Sequence, residues 1–282
     1  MTVFGFGVSF GQRNLKKNQE TVMPAQENKT VLVEKKGAIT TVTINRPERR
    51  NAVDYHTGRL LLEAFDDFDA DDSQSVAILR GAGKYFCAGF DLKSLSSSEL
   101  SYEPEGDGVM GPTRRLLSKP VIAAVEGYAV AGGLELALWC DLRVVAETAR
   151  FGVFCRRWGV PLIDGGTVRL PRLIGHSRAL DMILTGREVD AGEAEQMGLA
   201  NRLVAEGEAY TEAVKLAEQL CSFPQTCLQG DRLTSYRQWG MDVEDALRLE
   251  GIEGEKALKQ EAQTGAARFA SGLGRSGDFS KI

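Results

Sequence analysis

Two glycine-rich bends and one carboxyl group are the residues of this chain best placed to do chemistry together. The first bend is Ala88-Gly89-Phe90-Asp91, inside GAGKYFCAGFDLKSL. The second is Ala131-Gly132-Gly133, which runs into Leu134-Glu135-Leu136-Ala137-Leu138-Trp139. That run has helical composition and no breaker. Peptide N–H groups in a helix's first turn lack intrahelical partners, and the helix dipole makes that end electropositive. Without a Cβ at Gly132 and Gly133, a ligand can approach the backbone closely. The bend is therefore suited to hold a negatively charged oxygen, with the Glu135 carboxylate in the same turn. The same residues also suit a plain tight turn with a dipole partner. Two such bends facing each other would aim two main-chain N–H groups at one oxygen, which is how an oxyanion hole is built.

Both bends need rigid elements behind them. Val76–Leu79 precedes the first and Val121–Val125 the second; both runs are short, apolar and β-branched, as buried strands are. Val31–Glu34 and Ile39–Ile44 read as a hairpin around Gly37. Asp54 can cap a helix to about Phe68, with Leu61, Phe65 and Phe68 on one face. Ser94–Pro112 is rich in Ser, Gly and Glu and reads as a loop beside the first bend, either a lid or disordered. Leu142–Ala146 and Phe151–Phe154 read as strands, so a strand–strand–helix cadence recurs. PLIDGGT, Pro161–Thr167, leads into a helix near Val168–Leu173, followed by helices at Ser177–Leu184, Ala191–Met197 and amphipathic Glu208–Leu220. Residues 225–270 read as further helices. The expected organisation is a tail over 1–28, disordered or a weak transit segment, a core over 29–224 and a helical region over 225–282.

Together with Asn45-Arg46-Pro47-Glu48-Arg49-Arg50-Asn51-Ala52 upstream, these stretches resemble the crotonase family, the enoyl-CoA hydratase/isomerase superfamily. The likeness runs from about Val31 to about Val204. It implies an α/β fold: a right-handed spiral of β-β-α units with two roughly perpendicular sheets, plus a C-terminal helical region. It implies a homotrimer or dimer of trimers acting on a coenzyme A thioester, with no permanently bound cofactor. The implied oxyanion donors are the N–H groups of Phe90 and Gly132, and the first catalytic glutamate is Glu135. The implied CoA and substrate groove involves Arg49, Ala52, Ala88, Asp91, Lys93 and Gly133. Arg49, Arg50 and Lys93 suit phosphate pairing, or are solvated surface charges. Phe90 departs from the small residue usual there, and its ring would narrow the channel. The family's second glutamate falls in FGVFCRRWGVP, where this chain carries Cys155. Asp164 is then either the second acid/base group or the cap of the helix that follows. The implied activity is enoyl-CoA hydration, with isomerisation or thioester hydrolysis as alternatives; a non-catalytic acyl-CoA-binding protein is the alternative of another class.

Bulk properties narrow the field. A net charge of −5 and a pI near 5.3 argue against a nucleic-acid partner. No apolar run approaches a membrane span. Five scattered cysteines without CxxC spacing read as free thiols in a reducing compartment. Two histidines, neither in a nucleophile context, support neither a metal site nor a Ser-His-Asp triad. Ser280-Lys281-Ile282 is one conservative change from a peroxisomal address, so cytoplasm, mitochondrial matrix and peroxisome all stay open.

Overall fold

The computed structural model describes residues 1–2, 29–97 and 102–274. The tail and the terminal Ser280-Lys281-Ile282 therefore lie outside the described residues, apart from the first two positions. The predicted hairpin forms from β1 (Val31–Lys36) and β2 (Ile39–Ile44), antiparallel with Val31 opposite Ile44. Helix α1 (Tyr55–Ala70) starts at Asp54, whose carboxylate accepts the Thr57 N–H at 2.8 Å. Leu61, Phe65 and Phe68 are buried along its inner face. β3 (Val76–Gly81) follows, then the first bend and a short α2 (Leu92–Ser97).

The central stretch holds β4 (Val121–Val125), β5 (Tyr128–Val130) and α3 (Gly132–Trp139). Next come β6 (Leu142–Ala146), β7 (Arg150–Gly152), a 3-10 turn at Phe154–Trp158 and α4 (Gly166–Ile174). The expected second strand thus starts and ends earlier than Phe151–Phe154, because Phe154 already begins the 3-10 turn. α5 (His176–Thr185), β8 (Glu188–Asp190), α6 (Ala191–Gln196), β9 (Arg202–Val204) and α7 (Ala209–Cys221) complete this part. α8 (Gln225–Arg237), α9 (Val243–Ala257), one π turn and α10 (Gln263–Ala270) are the C-terminal helices.

Among the described residues the strands form two sheets. The larger has the order β1-β2-β3-β4-β6-β9, parallel beyond the hairpin; the smaller has the order β5-β7-β8. The cadence expected from the sequence is present: β4 and β6 lie in the large sheet, while β5 and β7 pair parallel in the small one. Each turn of chain visits both sheets and then a helix. The inner parallel strands β3, β4 and β6 are buried on both faces, as continuous apolar runs require. Val76, Ile78, Ile122, Ala124, Val144 and Ala146 face α7, which meets them with Ala209, Ala213 and Ala217. The alternate residues Ala77, Leu79, Val121, Ala123 and Val125 join the main core with α1 and α3. No helix among the described residues is long and apolar enough to cross a membrane.

Asn51 fastens the turn ahead of the first bend. It is fully buried with a left-handed φ of 56°, which asparagine tolerates better than most residues. Its Oδ1 accepts the Arg46 N–H at 3.0 Å, and its Nδ2 donates to Ala82 O at 2.9 Å and Tyr85 O at 2.6 Å. Asn51→Ala removes all three bonds and strands buried groups. A loss of about 2–4 kcal/mol is expected from the denaturant midpoint at unchanged m-value.

Candidate active site

The two bends meet. The first is held by an isolated parallel bridge: Val53 donates to Gly89 O at 2.9 Å and accepts from the Asp91 N–H at 2.8 Å. In such a bridge the intervening residue keeps its own N–H. No main-chain oxygen among the described residues accepts from Phe90 N–H. The second bend turns at Ala131, a non-glycine at φ 53° and ψ −124°, a sparsely populated and strained conformation. It is fixed by the Ala131 N–H donating to Gly152 O at 2.8 Å. Gly132 opens α3, and its N–H likewise has no main-chain acceptor among the described residues. The bends touch so closely that a Cβ on Gly89 would stand 2.9 Å from Gly132 N.

The glycines of the second bend divide their roles. A Cβ on Gly132 would meet the flexible end of Met110, whereas one on Gly133 would lie 2.0 Å from Cys87 O. Gly133 is thus small so that α3 can pack on the first bend. It does not line the cleft, contrary to its expected place in the substrate groove.

A cavity of about 460 Å³ opens at this junction. Ala88, Phe90, Gly132, Glu135, Cys155 and Asp164 all line it. Phe90 packs edge-on against Tyr55, with ring centroids 5.0 Å apart, and both rings narrow the space. The wall is otherwise mostly apolar, from Leu92 and Met110 to Trp158 and Ile163.

Glu135 is 2% exposed. Its Oε1 accepts the Asp164 N–H at 2.9 Å and the Gly166 N–H at 2.8 Å. Burial, then the nearby Asp164 charge, push its pKa up to about 8, although the two N–H bonds pull the other way. Asp164 is buried on the same wall. Its Oδ1 accepts the Met110 N–H at 3.0 Å and the Thr113 hydroxyl, while its buried Oδ2 has no hydrogen-bond partner among the described residues. Burial raises the pKa of Asp164, opposed by Thr113, Met110 and two arginines. The capping alternative fails: Gly165 is the N-cap of α4 and no side chain caps it, because the Asp164 carboxylate turns toward Met110 and Thr113. Cys155 is 7% exposed in the 3-10 turn; burial and then the Glu135 charge raise its pKa, so it stays a neutral thiol.

The remaining groove residues separate. Ala88 lines the cavity and is anchored by its N–H to Arg50 O at 3.0 Å. Arg50 reaches the mouth, with its guanidinium carbon 5.9 Å from the Tyr85 ring centroid. Asp91 does not face the cavity: its carboxylate pairs with Arg46 at 3.2 Å and Arg49 at 4.0 Å, and accepts the Lys93 N–H. Ala52 likewise serves Arg46, whose Nη1 donates to its carbonyl. Arg46, Asp91 and Ala52 therefore brace the first bend from behind.

Sequence reasoning misses the support of Asp164. Arg169 donates to Asp164 O at 3.1 Å and Thr113 O at 2.7 Å; Arg114 donates to Ile163 O at 3.1 Å. Nothing local marks either arginine, since their partners lie about 50 positions away or are main-chain oxygens. The predicted loop Ser94–Pro112 is also corrected in part. Its start lies in α2, residues 98–101 are outside the described residues, and Met110 is buried and tied to Asp164.

Comparison with known proteins gives a consistent picture. The chain is 38% identical over 251 residues to enoyl-CoA hydratase EchA19 of Mycobacterium tuberculosis, covering 85% of this chain and 92% of the relative. It is 41% identical over 187 residues to a carnitinyl-CoA dehydratase of Salmonella enteritidis, covering 65% and 71%. The crystal structure of enoyl-CoA hydratase EchA1 from Mycobacterium marinum superposes with a TM-score of 0.81 at 37% identity, over 86% of this chain and 96% of that one. The enoyl-CoA hydratase/isomerase family profile matches residues 34–266. With that match spanning most of its length, the chain belongs to the enoyl-CoA hydratase/isomerase family, and its two-sheet β-β-α architecture is the crotonase fold.

Proposed function

We propose that this chain adds water across the double bond of a 2-enoyl-CoA. The observation that carries the reading is the pair of N–H groups, Phe90 and Gly132, converging beside buried Glu135 with no main-chain acceptor among the described residues. The thioester oxygen sits between these donors, which favour the enolate over the ground-state carbonyl. Water attacks Cβ, the π pair moves onto the thioester oxygen, and the enolate collapses by taking a proton at Cα.

Two carboxyl groups divide the proton traffic. Glu135, with its pKa near 8, carries a proton at neutral pH and delivers it to Cα. The donors on Asp164 Oδ1 oppose the upward pull of burial on its pKa, and Oδ2, with no hydrogen-bond partner among the described residues, accepts the proton of the attacking water. Afterwards the proton passes from Asp164 back to Glu135, so the net change is one water added. Cys155 takes no part in proton transfer, because its raised pKa keeps the thiol closed. Arg50 at the mouth, with Arg49 and Lys93 nearby, is suited to the CoA phosphates. A homotrimer or dimer of trimers is part of the same reading.

The test is turnover of crotonyl-CoA and longer 2-enoyl-CoAs, followed by loss of the conjugated thioester absorbance. Hydration by the wild type, lost in Asp164→Asn, is the expected result. Conversion of a 3-enoyl-CoA with no hydration would make the chain an isomerase. Tight binding with no turnover of either would make it a binding protein.

A further inference from the structure

Met110 touches both halves of the site but carries no group that moves a proton. It is 1% exposed, yet it lines the cavity at the two bends. Its N–H donates to Asp164 Oδ1 at 3.0 Å. Its side chain runs to the second bend: a Cβ added to Gly132 would stand 2.6 Å from its Sδ, 2.9 Å from its Cγ and 3.1 Å from its Cε. Met110 therefore reaches from the second carboxylate to one of the two oxyanion donors.

The main chain beneath it is fixed from both sides. Gly111 N–H donates to Gly108 O at 3.0 Å, closing a tight turn around Val109 and Met110. The turn lies so close to α1 that a Cβ on Gly58 would stand 2.5 Å from Val109 O, and one on Gly111 2.7 Å from Gly58 O. On its other side the turn grips Asp164 through the Met110 N–H, with the Thr113 hydroxyl completing the hold. In a wall packed this closely, one added methyl group becomes an overlap. Any room for a bulkier ligand has to come from the thioether end, which is soft but itself buried.

On the hydration reading, on which this inference rests, the thioester oxygen sits at the Gly132 N–H and the attacking water at Asp164 Oδ2. The substrate's Cα is bonded to both the carbonyl carbon and Cβ, so it lies between those two points. Met110 joins the same two points, from its N–H at Asp164 to its thioether at Gly132. Its side chain thus runs beside the substrate's Cα. We propose that Met110 determines what that carbon carries: the cleft takes 2-enoyl-CoAs with hydrogen at Cα and rejects those with an α-methyl group. One methyl group in an apolar pocket discriminates by about 10- to 200-fold. A thioether shifts more readily than a branched side chain, so the low end of that range applies.

The test compares kcat/KM for crotonyl-CoA, 2-methylcrotonyl-CoA and 3-methylcrotonyl-CoA. An α-methyl group slows hydration by itself, so the change of the ratio between variant and wild type is what counts. Met110→Ala should cut the preference for crotonyl-CoA over 2-methylcrotonyl-CoA about tenfold. Met110→Val, a smaller truncation, should cut it by less, and Met110→Leu, which conserves volume, should keep it. Each ratio is read on one preparation, so an unfolded fraction of a variant cancels. The 3-methyl substrate locates the contact: its standing against crotonyl-CoA should not change in Met110→Ala. A 2-methyl preference indifferent to both truncations overturns the proposal and leaves hydration standing. Equal relief of both branched substrates also overturns it, because Met110 would then only fill the cleft. No hydration of crotonyl-CoA by the wild type removes the hydration reading, and this inference with it.

Discussion

Glu135→Gln is expected to lower kcat about 10³-fold and, at the same time, to make the folded protein more stable as pH rises. The loss of rate follows from removing the proton that reaches Cα, a step commonly contributing about 10²–10⁴-fold. The gain in stability follows from the same burial. Burial holds the Glu135 pKa at about 8 in the folded protein, against an ordinary value of 4.5 when unfolded. Between those values the folded state binds more protons than the unfolded state, so stability falls as pH rises through that window and levels off above it. Wild type therefore loses on the order of 4 kcal/mol from this one group between pH 4 and pH 9. Glutamine has no charge to bury, and its Oε1 can still accept the Asp164 and Gly166 N–H groups. Denaturant midpoints at pH 5, 7 and 9 should diverge, with the variant ahead at pH 9. Parallel curves would mean that Glu135 is not titrating as its surroundings dictate. Retained turnover would remove it from the chemistry.

The same site shows how far residue types alone could carry the reading. Strands β3, β4 and β6 are legible as short, β-branched and largely apolar runs, and β2 as a Val-, Ile- and Thr-rich arm of the hairpin around Gly37. β5 and β8 have three residues each, too few to show a period, so of the small sheet only β7 is legible, and that one residue late. That matters chemically: β5 sets the direction from which the chain enters the second bend. α2 reads as loop because its Leu-Lys-Ser-Leu-Ser-Ser composition is poor in strong helix formers. The two glycines of the second bend look equivalent in sequence. Only their neighbours, Met110 for one and Cys87 O for the other, tell the residue that leaves room at the cleft from the one that packs.

Asp164 poses the sharpest case. An aspartate ahead of a helix fits a cap as well as a cleft, and local pattern favours neither. Contacts with Met110 and Thr113, some 50 residues away in the chain, decide it. Long-range partners of this kind leave no local trace. For the same reason Arg114 and Arg169 carry no signal, and Asp91 reads as a ligand contact when it is a brace for Arg46.

A second large effect is expected at Gly89, and it isolates the paired amides from the carboxyl groups. Gly89 has φ +96°, and an added Cβ would stand 2.9 Å from both Gly132 N and Ala131 Cβ and 3.1 Å from Val130 O. The atoms it meets are backbone or a Cβ, which cannot rotate aside, so Gly89→Ala must push the bends apart. Oxyanion donors act at about 2.7–3.1 Å from the developing charge, and losing one costs about 10²–10³ in rate. A fall of that size in kcat is expected, with a stability loss of about 3 kcal/mol from strain at positive φ and overlap together. Gly83→Ala provides the control: φ is also positive, at +73°, but the new Cβ would meet only Pro47 Cβ, at an ordinary 3.6 Å. That variant should lose about 1 kcal/mol of stability and keep its rate. Gly89→Ala should also keep the shape of the wild-type pH–rate profile, because Glu135 and Asp164 retain their partners. If instead both variants lose the same stability and neither loses rate, then the convergence of the two bends has no catalytic consequence.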